Sequence, residues 1–176
     1  LVKNIDKNIV VIAGGVHVTT QYNYVIKNND IDYCVRGEAE YVLKDLVQYL
    51  NGDGNLPQEG LVFRKDGGVI IQEQAFVKDI SKLPWPAYEL VDYNVYLNKI
   101  SRFGPNRPIA LPCVRLTTTR GCPCGCSFCQ VEIISGKKVR SRDPEDVVNE
   151  LIFLKEKYNI RSIIFEDDNL LMVGNG

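Results

Sequence analysis

Val114-Arg115-Leu116-Thr117-Thr118-Thr119-Arg120-Gly121-Cys122-Pro123-Cys124-Gly125-Cys126-Ser127-Phe128-Cys129 runs a β-branched segment straight into a loop dense in cysteine. The first six residues predict a strand. Four of the six cysteines of the chain then fall within eight residues. Cys122, Cys126 and Cys129 have C-x3-C-x2-C spacing, with Phe128 just before the last. Three thiolates on so short a loop can wrap one metal centre, but they are one ligand short of closing it. A structural zinc site takes four ligands, and a 4Fe–4S cluster is ordinarily held by four cysteines. The spacing therefore predicts a cluster with one iron left open to another ligand.

Downstream, residues 131–141 are polar and basic. A well-signalled helix follows. Asp143 suits the N-cap, Pro144 the first helical position, and Glu145 and Asp146 the positive end of the helix dipole. Val147, Val148, Leu151, Ile152 and Lys155 form the expected inward stripe, and Tyr158-Asn159 ends it. Residues 160–165 (Ile-Arg-Ser-Ile-Ile-Phe) predict the next strand, with Glu166-Asp167-Asp168 at its carboxyl end. Strand, loop, helix, strand is the first βαβ unit of a barrel-like α/β domain. Such domains carry their active sites at the carboxyl ends of the strands, where both the cysteine loop and the acidic triplet fall.

Upstream, residues 57–108 form a connecting region. Leu61-Val62-Phe63-Arg64 and Val69-Ile70-Ile71-Gln72 flank Lys65-Asp66-Gly67-Gly68, so residues 60–72 predict a hairpin. Pro84 and Pro86 forbid regular helix or a central strand. Residues 79–90 thus read as an ordered linker, with Trp85 and Tyr88 as packing anchors between domains. Residues 98–108 read as an exposed loop with Arg102 and Arg107 in solvent.

The first third is an α/β unit. Asn8-Ile9-Val10-Val11-Ile12-Ala13 predicts a strand buried on both faces of a parallel sheet. Gly14-Gly15 then allow a tight turn or close approach of a ligand. A helix is expected over 19–28, a strand over 32–36, and a helix from the Gly37-Glu38-Ala39-Glu40 turn to Leu50. Val42, Leu43, Leu46, Val47 and Leu50 form its apolar stripe, and Asn51-Gly52-Asp53-Gly54 stops it. Cys34 reads as a small buried hydrophobe. His17, the only histidine, reads as a loop residue bonded to nearby backbone.

The 176 residues carry 21 basic and 22 acidic side chains, a net charge of −1, which calls for no nucleic-acid partner. No apolar run approaches the ~20 residues of a membrane span. Clustered cysteines without a secretory signal indicate a metal site in a reducing compartment, hence a cytoplasmic protein. The chain lacks an initiator Met and ends straight after a strand-like segment, so a fragment of a longer protein is expected.

The cysteine triplet with its preceding aromatic resembles the cluster loop of the radical S-adenosylmethionine (SAM) superfamily. The Thr-Arg-Gly-Cys-Pro of residues 119–123 resembles its cobalamin-associated branch. Val-Ile-Ala-Gly-Gly-Val-His-Val-Thr (residues 11–19), the Gly-Glu-x-Glu turn and the Leu-Pro-x-Pro segment at 83–86 stand in that branch's order. The resemblance implies three segments. Residues 1–56 would be the C-terminal half of a Rossmann-like cobalamin-binding domain, 57–108 the hairpin and Pro-rich linker, and 109–176 the start of a partial TIM-like radical SAM barrel. It implies Cys122, Cys126 and Cys129 as ligands of a 4Fe–4S cluster whose open iron takes SAM. Phe128, Glu166, Asp167 and Asp168 would lie near SAM, and Gly14 and Gly15 against the nucleotide tail of cobalamin. It implies an enzyme for reductive SAM cleavage and radical chemistry at an unactivated carbon: methyl transfer, cyclisation or rearrangement. A small-molecule substrate and an electron donor would be its partners, and the chain alone would not turn over.

Alternatives stand beside these expectations. Gly15 occupies the place where Asp-x-His-x-x-Gly needs an aspartate, so His17 is not assigned to cobalt. The upstream domain of such an enzyme can also have lost cobalamin. The acidic triplet reads equally as a solvated turn. Cys124 reads as a bystander, but it also stands where it can compete for the cluster or join Cys113 in a four-thiolate site. The cysteines would then hold zinc or a closed cluster in a non-catalytic structural module.

Overall fold

A computed structural model describes residues 2–99 and 107–171. The described helices are α1 (Val2–Ile5), α2 (Val16–Val25), α3 (Glu40–Leu50), α4 (Tyr93–Asn98), α5 (Val131–Ser135) and α6 (Pro144–Tyr158). The strands are β1 (Ile12–Ala13), β2 (Tyr33–Val35), β3 (Leu61–Lys65), β4 (Gly68–Ile71), β5 (Cys113–Leu116), β6 (Thr119–Arg120), β7 (Arg140–Ser141) and β8 (Ser162–Phe165). The chain divides into two compact units, residues 1–77 with 125–136, and residues 78–124 with 137–176.

The first unit is a four-stranded mixed sheet in the order β1-β2-β3-β4. β1 and β2 are parallel, as α/β alternation predicts, and β3 and β4 add antiparallel. The hairpin is therefore hydrogen-bonded to the α/β sheet, with Cys34 opposite Val62. Asp66 (φ 51°) and Gly67 (φ 78°) both take positive φ in its two-residue loop. That conformation matches the twist of the flanking strands. The core gathers Val35, Val42, Leu46, Leu61 and Phe63 on one side and Val18, Ile26, Cys34 and Val62 on the other.

Three expectations shift here. Only Ile12 and Ala13 form the first strand, and Ile9 and Val10 are exposed, so the run is not buried on both faces. The helix expected over 19–28 starts at Val16 and stops at Val25, interrupted at Gln21. On α3 only Val42 and Leu46 are buried; Leu43, Val47 and Leu50 face outward. Cys34 has no exposed surface, and burial raises its thiol pKa.

The Gly-Glu turn before α3 has a packing reason. A Cβ on Gly37 would stand 2.1 Å from the Ala75 carbonyl oxygen, and φ there is +83°. The Gly37 N–H donates to Thr19 Oγ1 at 3.0 Å, the Glu38 N–H to the Ala75 carbonyl at 3.0 Å, and the Val77 N–H to Glu38 Oε2 at 2.6 Å. Only glycine lets residues 75–77 lie so close.

The second unit holds the βαβ that the sequence predicts. β5 and β8 are parallel, Cys113 opposite Ser162 and Leu116 opposite Phe165, with α6 between them in the chain. Asp143 caps α6 by accepting from the Glu145 N–H at 2.9 Å, and Asn159 closes it in the left-handed region. The buried face of α6 is Val147, Glu150 and Leu154, whereas Val148 and Ile152 are exposed. The stripe is thus rotated from the one expected, because a glutamate occupies its centre.

Trp85 and Tyr88 pack inside this unit. They join Tyr93, Phe153, Leu154 and Tyr158 around Val114 and Ile160. Trp85 Nε1 donates to Asp146 at 2.8 Å, and the Tyr88 hydroxyl to Glu150. Of the expected loop at 98–108, residues 100–106 lie outside the described residues, Arg102 among them; Arg107 is exposed.

Candidate metal centre and cofactor surfaces

β5 delivers the chain to the cysteine loop as predicted, but the strand ends at Leu116. Thr119 and Arg120 form a separate short strand, β6, antiparallel to β7. Residues 121–139 are the excursion between these two strands. A third link closes its base, with the Arg142 N–H donating to the Thr118 carbonyl at 2.8 Å. The stretch at 131–141 that reads as polar and basic contains α5 as well as β7.

Cys122 and Cys124 belong to the second unit, Cys126, Phe128 and Cys129 to the first. The Cys129 N–H donates to the Cys126 carbonyl at 3.0 Å, which draws the last two ligand candidates into one turn. Gly125 takes φ +61° just before them. Cys122 is half-buried, and Cys124, Cys126 and Cys129 are exposed. Phe128 is 89% exposed. Among the described residues, no group of three or more His, Cys, Asp or Glu side chains stands ready to hold a metal ion.

The donor set nevertheless fits an iron–sulfur cluster chemically. Cys122, Cys126 and Cys129 are free thiols, and thiolate is the ligand such clusters take. Cys113 has no exposed surface and lies within β5, whereas Cys124 is exposed. The two therefore differ in setting.

The acidic triplet is divided three ways. Glu166 pairs with Arg115, and its N–H donates to the Leu116 carbonyl at 2.9 Å. Asp167 turns Oδ1 toward the base of the loop. It accepts the Thr118 N–H at 2.9 Å, the Thr118 hydroxyl at 2.8 Å, the Thr119 hydroxyl at 2.7 Å and the Thr119 N–H. Asp167 Oδ2 is buried and has no hydrogen-bond partner among the described residues. That orphaned oxygen fits an ammonium group such as the one SAM carries. Partial burial and the Asp167 charge raise the Asp168 pKa.

Gly14 and Gly15 sit between β1 and α2 on an open surface. A Cβ on Gly14 would meet only Val35, at 3.9 Å, and one on Gly15 would meet nothing within 4 Å. Gly15 has φ +93°, so glycine is required there by conformation. The bare backbone fits close approach of a nucleotide tail without enclosing it. His17 is exposed on the first turn of α2.

Residues 116–172 match the family model described as the radical SAM superfamily. Over that segment, about a third of the chain, the sequence is similar to the superfamily. The radical SAM match begins at the end of β5 and runs past β8, so it contains the cysteine loop and the acidic triplet. Similarity to individual proteins extends further. An uncharacterized methyltransferase of Pyrococcus horikoshii is 31% identical over 175 residues, 98% of this chain and 36% of that protein. The anaerobic magnesium-protoporphyrin IX monomethyl ester cyclase of Rubrivivax gelatinosus is 28% identical over 176 residues, 96% of this chain and 30% of the cyclase. The chain thus spans about a third of the length of these relatives.

Among solved structures, the cobalamin-dependent SAM radical enzyme OxsB, with aqua-cobalamin and SAM bound, superposes with a TM-score of 0.72. Identity is 19%, and the match covers 96% of this chain and 22% of OxsB. The radical SAM methyltransferase TsrM of Kitasatospora setae gives a TM-score of 0.58 at 21% identity, covering 90% of this chain and 30% of TsrM. At these identities the likeness is one of fold.

Sequence reasoning missed three contributors to the site: Thr118 and Thr119 as donors to Asp167, and Arg142 as a partner of α6. Glu150 carried the one available signal, a lone acid three residues after Val147 on an apolar face. No helix among the described residues is long and apolar enough to cross a membrane.

Proposed function

We propose that the chain is part of a radical SAM enzyme in which Cys122, Cys126 and Cys129 hold a 4Fe–4S cluster. The observation that carries this reading is the donor set itself, three free thiols on a loop based at the carboxyl ends of β5 and β8. When bound, the cluster and SAM together supply reductive SAM cleavage, and the protein's part is to bind and orient them. Cys122 would be fixed by β6, and Cys126 and Cys129 by their shared turn. SAM would lie near Phe128 and the acidic strand end, with the orphaned Asp167 oxygen available to its ammonium group. Glu166 is already neutralised by Arg115, so Asp168 is the other carboxylate of the triplet open to a ligand.

Cobalamin is the third cofactor of this reading, with its nucleotide tail against Gly14 and Gly15. Support comes from the fold likeness to cobalamin-dependent enzymes over nearly the whole chain. The reaction would be methyl transfer or cyclisation at an unactivated carbon of a small molecule, with an external electron donor in the cytoplasm. The segments 1–56, 57–108 and 109–176 would serve as cobalamin-domain half, connector and start of the radical SAM core.

Anaerobic reconstitution of the whole protein with iron and sulfide tests this. The expected product is brown, with a reduced-cluster electron paramagnetic resonance signal that changes when SAM is added. A colourless protein with stoichiometric zinc would establish the structural-module reading instead. A cluster signal indifferent to SAM would mean that the fourth iron is closed.

A further inference from the structure

We infer that Asp167 is a positioning residue for the cluster loop, acting through Thr118 and Thr119 on Cys122. This rests on the cluster reading above and adds a role to a residue otherwise assigned only to SAM. Asp167 lies just beyond β8, 49 and 48 residues along the chain from the threonines it binds. All four contacts fall on one oxygen, Oδ1: two backbone N–H groups and two hydroxyls. A carboxylate oxygen that collects two successive backbone N–H groups fixes the direction of the chain between them. The charge strengthens each bond.

The geometry around those threonines shows what is being fixed. Thr119 is buried, and it begins the two-residue β6. β6 alone is too short to hold itself, because a two-residue pairing with β7 contributes few hydrogen bonds. Asp167 supplies the missing ties on the β6 side. On the β7 side Arg142 does the same. Its N–H binds the Thr118 carbonyl, and its guanidinium pairs with Asp146 and Glu150 of α6, at 2.6 Å in each case. Both strands at the base of the loop are thus tied to the βαβ unit, one through β8 and one through α6. Cys122 follows Thr119 by three residues, with Gly121 buried between them. A shift of Thr118–Thr119 therefore moves the Cys122 sulfur.

The role depends on the acceptor oxygen and not on the negative charge alone, which separates it from binding of an ammonium group. Asp167→Asn keeps an oxygen that can accept the Thr118 and Thr119 donors. Asp167→Ala keeps none. Thr119→Val removes a single hydroxyl donor at nearly constant shape.

The test is the rate at which an iron chelator strips the cluster from the reconstituted whole protein, measured without SAM. Expected is a rise of about tenfold for Asp167→Ala, the scale of losing hydrogen bonds to a charged group. A smaller rise is expected for Thr119→Val and for Asp167→Asn, which keeps the acceptor oxygen but not the charge. The reduced-cluster paramagnetic signal of Asp167→Ala should broaden, and that of Asp167→Asn should not. A parental rate in Asp167→Ala overturns the proposal, as does an equal rise in the Asn and Ala variants. Where Asp167→Ala does not fold, Thr119→Val decides: a rate equal to the parent's overturns it. Retention of the cluster in Cys122→Ala would contradict the cluster reading instead.

Discussion

The phenol of Tyr88 donates a hydrogen bond to the carboxylate of Glu150, a glutamate with no exposed surface. The other oxygen of that carboxylate pairs with Arg142 at 2.6 Å. Burial and the neighbouring Glu150 raise the Tyr88 pKa well above the usual phenol value, so the hydroxyl remains a donor at any physiological pH. The Pro-rich segment is thereby fastened to α6 by a charge-assisted bond in the core of the second unit. Tyr88→Phe should lower stability by about 1–3 kcal/mol, the cost of stranding a buried acceptor. Arg142→Ala, which leaves a buried charge uncompensated, should cost about 3–5 kcal/mol. Thermal unfolding of the two variants checks the order. An Arg142→Ala protein as stable as the parent would show that Glu150 is solvated.

Asp146 gives the same helix a pH signature. The Arg142 guanidinium, hydrogen-bonded at 2.6 Å, holds its carboxyl below the usual range, and Trp85 adds to this against a smaller opposing effect of burial. A carboxyl whose folded pKa is depressed contributes stability above its unfolded value, about 3.9. That contribution is lost as pH falls through the lower folded value. Asp146→Asn should therefore be less stable than the parent at pH 7, and the difference should shrink toward pH 3. Melting temperatures of both proteins across that range measure it. A difference that stays constant with pH would show that the ionisation of Asp146 contributes nothing.

Two glycines with similar φ should respond differently to alanine. Gly37 and Gly15 have φ of +83° and +93°, so each substitution is strained, by about 1–3 kcal/mol. At Gly15 that strain is the whole cost, since a Cβ meets nothing within 4 Å. At Gly37 the Cβ would overlap the Ala75 carbonyl at 2.1 Å, so the strand-like contact at 75–77 must also break. Gly37→Ala should cost at least about 2 kcal/mol more than Gly15→Ala. Comparison of their thermal midpoints is direct, and equal losses would refute the contact.

The parts of the fold that local chemistry dictates were legible. The capping residues Asp143 and Pro144 marked the start of α6, and Asp66-Gly67 marked the hairpin. What was not legible depends on distant partners. The inward face of α6 was displaced because Glu150, polar in sequence, is accepted into the core by Tyr88 and Arg142, 62 and eight residues away. The first strand shrank to Ile12–Ala13 because an apolar run does not say how much of its length finds a neighbour. In the site, the three cysteines and the acidic triplet stood out by residue type and spacing. The division of labour within the triplet did not. Thr118 and Thr119 looked like ordinary strand residues until the parallel pairing of β5 with β8 brought Asp167 alongside them.

A site of three thiolates with a fourth position open is decided by counting iron in single-cysteine variants. After anaerobic reconstitution of the whole protein, the parent should carry about four irons per chain. Cys124→Ala and Cys113→Ala should keep them, and Cys122→Ala, Cys126→Ala and Cys129→Ala should each lose them. Loss of iron in Cys124→Ala or Cys113→Ala, with retention in any of the other three, would contradict the account.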